Sequence, residues 1–325
     1  MNYNKKRFCI VLLLCICTTL LFAEGTKEQA PKQVKALVFG MFEIGKPNGD
    51  FAGEFQHFYE YYFEQGNTEY TIPGCPEPVY LNGNGVMGTT AGMGKAQAAS
   101  TLTAILSDKR FDFSTVYIVV CGCGGGDPAR ITLGDVIIAT YLVDYELGNG
   151  WQQSDTPAGT TSTFKHSDSY DNSAFVVMDK ALVEKAYALT KDIALDDSQD
   201  AAKYRALYSA EEATEKPSVK TGISVTADSY WHGPASAKRA DEICAIYTTD
   251  GAYMDTQMED NGFGVVAKNF GKLDHLLVIR DIVNYDRPHQ GQTVLESLDA
   301  SSGAFSMGMT NGFKVASAII DNLVK

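Results

Sequence analysis

The chain has 325 residues, 45% of them hydrophobic, and a formal net charge of −13 from 40 acidic and 27 basic side chains. This acidic balance argues against a nucleic acid or an anionic membrane surface as the partner, because both attract basic proteins. The length allows one large domain or two small ones, and neither an internal repeat nor a low-complexity linker divides the sequence.

The first 23 residues have the pattern of a secretory signal peptide. Lys5, Lys6 and Arg7 precede an apolar run over 8–22, and Ala23 supplies a small residue before the expected cleavage point. The run is shorter than the roughly 20 apolar residues that span a bilayer, and no second run of this kind follows it. We therefore expect an exported protein, periplasmic or extracellular, and not a membrane channel.

The mature chain is expected to begin with a flexible leader over 24–33, rich in polar residues and Gly, followed by one domain over 34–325. Lipid attachment at Cys15 or Cys17 is not expected, because a bulky apolar residue precedes each of them. The cysteines and histidines lack zinc-binding spacing, so the sequence predicts no metal site.

Short apolar runs alternate along the chain with apolar residues at helical spacing. We predict strands over 34–41, 116–121, 135–145, 219–227 and 276–283, and one or two strands over 79–90. Helices are predicted over 51–63, 94–106, 180–190, 200–212, 234–243, 256–270 and 302–323. The polar stretch 148–172 is interpreted as a long excursion between elements. This alternation indicates a three-layer α/β fold with a mixed central sheet, in which ligands bind beyond the carboxyl ends of the strands.

The first two strand ends that could carry chemistry lie in the N-terminal third. Glu43 closes the first strand, where a carboxylate could orient a water or a sugar hydroxyl, or be an ordinary solvated loop acid. Gly92 opens the sequence Gly-Met-Gly-Lys before a helix, where exposed backbone N–H groups suit an anion or a polar ligand. A tight turn alone explains this segment about as well, and its spacing is not that of a P-loop.

The other strand ends are rich in glycine, acids and amides. Gly124 and Gly125 follow a buried strand and indicate close backbone approach to a ligand or to another strand. Glu259 and Asp260 begin a helix, where the helix dipole favours acids, although that does not explain two of them facing inward. Asn284 can donate and accept hydrogen bonds, which suits the edge of a purine ring, or it is an ordinary turn residue.

Four motifs in this order resemble the purine nucleoside permease family, within the nucleoside phosphorylase superfamily. They are Gly-Met-Gly-Lys at 92–95, Asp-Ser-Tyr-Trp-His-Gly at 228–233, Met-Glu-Asp-Asn at 258–261 and Asn-Tyr-Asp-Arg-Pro at 284–288. Each motif alone is weak, but the series is specific and covers the chain from Val34 to its end. The resemblance implies a single-domain nucleoside-phosphorylase-like fold, a purine nucleoside as ligand, no cofactor and a homo-oligomer.

The resemblance also implies roles for individual residues. Met258 and Glu259 would hold the ribose, with Glu259 accepting from its 2′ and 3′ hydroxyls, and Tyr230 or Trp231 would stack on the base. Asn284 would assist the leaving purine. The glycine-rich segments that contain Gly92, Gly124 and Gly125 would line the pockets for the nucleophile and the base.

The implied reaction is dissociative cleavage of the N-glycosidic bond. Asn284 can donate a hydrogen bond to the purine N7 but cannot supply a proton, so Asp286 is the candidate to compensate. The loop after the first strand contains Glu43 and no arginine. Because phosphorylases of the superfamily have an arginine there and nucleosidases have glutamates, the resemblance implies water as the nucleophile and not phosphate. Phosphate stays the alternative co-substrate, with three arginines as its candidate ligands: Arg130, Arg280 and Arg287.

Two functions therefore stay open from the sequence. One is an enzyme that cleaves purine nucleosides outside the cytoplasm, in purine salvage. The other is a non-catalytic nucleoside-binding component that assists uptake through a separate membrane transporter.

Overall fold

The computed structural model describes residues 30–156, 158–160 and 162–325. The expected signal peptide and most of the expected leader lie outside the described residues. Lys32–Gln33 forms a short strand, β1, that pairs in parallel with Phe111–Asp112. Within the described chain, regular pairing thus begins just before the predicted domain boundary.

The strands that follow β1 are, in chain order, β2 Ala36–Gly40, β3 Thr68–Tyr70, β4 Val79–Leu81, β5 Val86–Thr90, β6 Phe111–Asp112, β7 Tyr117–Gly126, β8 Val136–Asp144, β9 Asn149–Gly150, β10 Phe164–Lys165, β11 Phe175–Val177, β12 Val219–Thr226, β13 Tyr253–Gln257 and β14 Leu276–Tyr285. The helices are α1 Gln56–Phe58, which continues as a π-helical turn over Tyr59–Phe63, α2 Lys95–Leu106, α3 Asp171–Ala174, α4 Lys180–Thr190, α5 Gln199–Arg205, α6 Pro234–Tyr247, α7 Asp260–Asn269, α8 Val294–Leu298 and α9 Phe305–Leu323.

Ten of the strands form one mixed sheet that closes on itself. The strand order is β11-β8-β12-β13-β7-β2-β5-β4-β3, and β14 pairs with both β7 and β8. The strands β7, β14, β8, β12 and β13 therefore complete a five-stranded ring, from which β2 to β5 extend. The parallel strands β7 and β14 end on the same side of this barrel, where six of the ten site residues predicted from the sequence lie.

Helices cover the sheet on both sides, which explains the continuous apolar runs in its central strands. All five residues of β2 are buried, and α9 packs on β7 and β14. The helices α2 and α7 approach so closely that a Cβ added at Gly262 would lie 2.7 Å from the carbonyl oxygen of Lys95. Among the described residues, no helix combines the length and the apolar character that crossing a bilayer requires.

The predicted α/β class and the mixed central sheet are confirmed, and the largest local differences are the following. The helix predicted over 256–270 is a strand followed by a helix, since β13 alternates buried and half-buried residues before α7 begins. The predicted excursion over 148–172 contains the antiparallel pair β9 and β10 and the start of α3. The aromatic helix predicted from residue 51 begins only at Gln56.

Candidate functional site

A cavity of about 90 Å³ opens at the carboxyl ends of β7, β13 and β14. It adjoins a second cavity of about 310 Å³, and the two share Met41, Phe42 and Met93. The residues that line the first cavity are Met41, Phe42, Glu54, Met93, Cys123, Gly124, Gly125, Tyr230, Thr256, Gln257, Met258, Glu259, Arg280 and Asn284. The structure thus brings together six of the ten site residues predicted from the sequence.

Glu259 lies between β13 and α7 with its carboxylate held from two sides. Its Oε1 accepts a 2.9 Å hydrogen bond from the backbone N–H of Gly94, and its Oε2 accepts one of 3.1 Å from Arg280. The side chain is buried, and burial raises its pKa against the opposing charge of Arg280. Because a carboxylate oxygen accepts more than one hydrogen bond, both oxygens keep capacity for a pair of ligand hydroxyls.

All three side-chain nitrogens of Arg280 donate hydrogen bonds to protein partners. Its Nε and Nη2 donate to Asp260 Oδ1 at 3.0 and 2.5 Å, and its Nη1 donates to the carbonyl oxygen of Cys123 at 3.0 Å. Burial alone would lower the pKa of Arg280, but the carboxylates of Asp260 and Glu259 raise it well above its ordinary value. This arginine therefore positions Glu259 and stays cationic.

Glu54 is a cavity residue that the sequence analysis did not identify. Its Oε2 accepts a hydrogen bond from the backbone N–H of Met41 at 2.5 Å, and its Oε1 accepts one from that of Cys123 at 2.8 Å. Burial raises the pKa of Glu54 to about 7, with Arg280 opposing the shift and Glu259 adding to it. A carboxyl with this pKa in a cavity can accept or return a proton near neutral pH.

Glu43, the carboxylate predicted at the end of the first strand, organises the loop that carries Glu54. It lines the neighbouring larger cavity instead of the smaller one. Its two oxygens accept from four backbone N–H groups, those of Ile44, Gly53, Phe55 and Gln56. These bonds fold the loop over 44–55 back on the strand end, which directs Glu54 into the smaller cavity.

The two aromatic residues proposed for base stacking lie in different surroundings. Tyr230 lines the cavity and is 54% exposed. Trp231 lies outside it and stacks on Tyr145, with ring centroids 5.3 Å apart and planes 17° from parallel, while its edge meets Tyr253. Of the two, Tyr230 is therefore available to a ligand.

Asn284 reaches the cavity from the end of β14. Its Nδ2 donates to the carbonyl oxygen of Tyr285 at 3.1 Å, which leaves the second N–H of the amide for a ligand. A Cβ at Gly125 would lie 2.6 Å from this Nδ2, so a larger residue there would displace the amide. Gly124 and Met258 also line this cavity, whereas Gly92 lines the larger neighbouring one.

Asp286 lies outside both cavities in a buried ion pair. It accepts from the Tyr253 hydroxyl at 2.6 Å and from Arg287 Nε at 2.7 Å. Burial raises its pKa, and Arg287 opposes that shift. Arg287 also pairs with Asp127 at 2.9 Å. The structure therefore brings neither Asp286 nor Arg287 to the cavity.

Arg130 is also paired with carboxylates outside the smaller cavity. Its Nη1 and Nη2 donate to Asp241 at 2.8 and 2.7 Å. A group that could hold a metal ion, formed by His166, Asp168 and Asp171, is present elsewhere on the surface and does not line the cavity.

Solved structures of other proteins share this fold. The 5′-methylthioadenosine/S-adenosylhomocysteine nucleosidase of Neisseria meningitidis superposes with a TM-score of 0.55 at 15% identity, covering 90% of this chain and 99% of that one. The futalosine hydrolase of Helicobacter pylori gives 0.58 at 14% identity, covering 90% and 98%. These likenesses confirm the predicted fold.

The sequence comparisons are more specific. Residues 33–325 match the family model described as Purine nucleoside permease (NUP), and the chain belongs to that family. A probable purine nucleoside permease of Schizosaccharomyces pombe is 28% identical over 261 residues, which cover 72% of this chain and 74% of the relative. The purine nucleoside permease of Candida albicans is 27% identical over 325 residues, covering 92% and 77%. The family resemblance found in the four motifs is thus confirmed.

Proposed function

We propose that this chain binds a purine nucleoside across the smaller cavity and the adjoining larger one, and cleaves its N-glycosidic bond with water. The observation that carries the proposal is the presence of two buried carboxyl groups, Glu54 and Glu259, in the lining of one cavity. Arg280 fixes the second of them. The names of the family and of its curated relatives support a purine nucleoside as the ligand.

Each part of a nucleoside has a matching group in the cavity. The free acceptor capacity of Glu259 suits the ribose 2′ and 3′ hydroxyls. Tyr230 offers an aromatic face to the purine, and the second amide N–H of Asn284 offers a hydrogen bond to a ring nitrogen. Met258 adds apolar contact beside the sugar.

The reaction follows from the charges of these groups. As the bond between C1′ and the purine nitrogen breaks, its electron pair leaves with the purine and positive charge develops on the ribose. The carboxylates of Glu259 and Glu54, both buried, stabilise that charge. A water oxygen then bonds to C1′ and loses a proton to Glu54. The purine takes a proton from solvent, and Glu54 returns its own to solvent.

Water is favoured over phosphate because the cation at the cavity is already bonded. Arg280 is the one lysine or arginine among the described residues that line the smaller cavity, and its Nε, Nη1 and Nη2 all donate to protein oxygens. A phosphate dianion would face Glu54 and Glu259 without a free cation beside it. Arg130 and Arg287, the other candidate ligands, lie in ion pairs elsewhere.

A second function is favoured by Asn284. An amide cannot protonate a leaving purine, and one of its N–H groups is committed to the carbonyl oxygen of Tyr285. The alternative is therefore a nucleoside-binding protein without turnover that delivers nucleosides to a separate membrane transporter. Export by the N-terminal signal, a role in purine salvage and a homo-oligomeric state are further proposals, which cell fractionation, growth on nucleosides and light scattering would test.

Turnover separates the two functions. The purified protein is incubated with inosine or adenosine, with and without phosphate, and free base and sugar products are measured. Release of base and free ribose in the absence of phosphate is the expected result. Ribose 1-phosphate as the sugar product would show that the reaction is phosphorolysis and not hydrolysis. Calorimetric binding without base release would favour the binding protein, and neither binding nor release would overturn both functions.

A further inference from the structure

Lys95 is the first residue of α2 and directly follows Gly94, whose backbone N–H binds Glu259. The proposed reaction does not use the Lys95 side chain. Its Nζ lies 3.0 Å from Asp144 Oδ2, 2.8 Å from Glu146 Oε2 and 3.7 Å from Asp228 Oδ2. Its backbone N–H also donates to Asp228 Oδ1 at 2.8 Å. One ammonium group thus joins carboxylates from two separate segments, the end of β8 and the segment after β12.

These carboxylates in turn hold the backbone next to Tyr230. Glu146 Oε2 accepts from the N–H of Asp228 at 3.0 Å, and its Oε1 accepts from the N–H of Ser229 at 3.3 Å. The ring of Tyr145, beside Glu146, stacks on Trp231. The segment over 228–231 is therefore fixed on both sides of Tyr230, although Tyr230 itself is more than half exposed.

The charges make this arrangement depend on the lysine. Three carboxylates converge on one ammonium, and the Lys95 side chain is only 18% exposed, so solvent screens the cluster incompletely. Burial lowers the pKa of Lys95, but the hydrogen bonds that its ammonium donates to Glu146 and Asp144 raise that pKa more, and the cation persists. Without the Lys95 ammonium, the carboxylates of Glu146 and Asp228 would repel each other. This repulsion would oppose the hydrogen bond from the Asp228 N–H to Glu146, which holds the segment over 228–231.

We propose that Lys95 is a positioning residue that keeps Tyr230 at the cavity wall by neutralising Asp144, Glu146 and Asp228. The inference rests on the proposed binding of a purine base at Tyr230. The backbone N–H of Gly94 orients the Glu259 carboxylate that would bind the ribose. The side chain of Lys95 orients Tyr230, the ring that would stack on the base. The turn before α2 therefore serves both halves of the ligand.

The test compares Lys95→Met with Lys95→Arg in the full chain, and Lys203→Met is the control, because Lys203 pairs with Asp200 on the exposed surface of α5. We expect Lys95→Met to raise the Kd for inosine by about tenfold or more, whereas Lys95→Arg and the control stay within about threefold of the parent. Salt should partly restore binding in Lys95→Met by screening the carboxylates, which a general folding defect would not do. Unchanged affinity in Lys95→Met, or a loss that salt leaves untouched, would overturn the proposal.

Fluorescence gives a second readout that needs no ligand. Trp231 adjoins Tyr230 and is one of two tryptophans in the chain, so Trp151→Phe makes it the sole reporter. We expect Lys95→Met to expose Trp231 to acrylamide quenching and Lys95→Arg not to do so. If Lys95→Met does not fold, Asp228→Asn, which weakens the same contact, should increase quenching in its place. If the parent protein binds no nucleoside, the proposed function fails, while the quenching result still decides whether Lys95 holds the segment.

Discussion

The backbone N–H of Gly94 donates a 2.9 Å hydrogen bond to Oε1 of Glu259, which lies 165 residues further along the chain. This bond joins the start of α2 to the start of α7, and the two helices pack closely enough to require glycine at position 262. The carboxylate is consequently fixed by backbone on one side and by Arg280 on the other. A group fixed in this way loses little freedom when a ligand binds, which favours recognition of a diol.

The first prediction concerns the ribose contact of Glu259. In Glu259→Gln, one carboxylate acceptor becomes a donor, and we expect inosine to bind more weakly by about 1–3 kcal/mol. Calorimetry with inosine and with 2′,3′-dideoxyinosine measures the effect, because the dideoxy compound lacks the hydroxyls and should respond less. Glu184→Gln, on the exposed face of α4, is the control. A variant that keeps the full preference for inosine over its dideoxy analogue would contradict the ribose assignment.

The second prediction concerns Glu54 as the proton acceptor. Since its pKa is raised to about 7, it is protonated and inactive below that pH and ionised above it. The rate of base release should therefore rise with pH and level off above about 7. In Glu54→Gln the rate should fall by a factor of about 100 or more, with nucleoside binding retained.

Glu64→Gln provides the control for Glu54, because Glu64 is an exposed acid that contacts Asn48 away from the cavity. Its rate and pH profile should match those of the parent protein. A Glu54→Gln variant that keeps the rate, or that keeps the same inflection near neutral pH, would show that another group accepts the proton.

The third prediction concerns the leaving purine. Asn284→Asp places a carboxyl where the amide now lies, and a protonated carboxyl can supply a proton that an amide cannot. We expect base release in a single turnover to become faster by about tenfold or more, and Asn284→Ala to make it slower. Rapid-quench measurement of free purine gives both rates. Equal rates in all three proteins would mean that position 284 has no part in departure of the base.

The sequence predicts the residues that belong to motifs and misses those that depend on loop geometry. Glu259 follows β13, Asn284 lies at the end of β14, both belong to recognisable motifs, and both line the cavity. Glu54 carries no motif, because its approach to the cavity depends on the hydrogen bonds of Glu43 with the intervening loop. Tyr230 and Trp231 are neighbours in an irregular segment, where no periodicity tells which ring faces a ligand.

The same limit explains the missed strand β13. Its five residues alternate between buried and half-buried positions, but Thr256 and Gln257 continue without a break into the apolar spacing of α7. A helical period fitted across both segments therefore hides the boundary. Long elements such as α4, whose bounds match the prediction, carry enough periodicity to avoid this error.

The last prediction concerns Asp255, a fully buried acid in β13. Ser224 Oγ lies 2.6 Å from Asp255 Oδ1 and 2.9 Å from Asp260 Oδ2. The Ser224 hydroxyl has a single proton and can donate to only one of these two carboxyl groups. The other carboxyl group forms a hydrogen bond with the Ser224 oxygen when it is itself protonated and donates. Burial raises the pKa of Asp255 to about 8, and the nearby charge of Asp260 adds to the shift.

The consequence is a stability that falls as pH rises. The folded chain keeps the proton on Asp255 up to about pH 8, whereas the unfolded chain releases it near pH 4. Between these values, this group lowers the free energy of unfolding by about 1.4 kcal/mol per pH unit. Asp255→Asn is neutral throughout, so its free energy of unfolding should fall less steeply by about that amount between roughly pH 5 and pH 7. Urea unfolding at several pH values measures both slopes. Asp192→Asn, which removes an exposed acid, is the control and should show the same dependence of unfolding free energy on pH as the parent. If Asp255→Asn also shows the parent's dependence on pH, Asp255 is ionised in the folded protein.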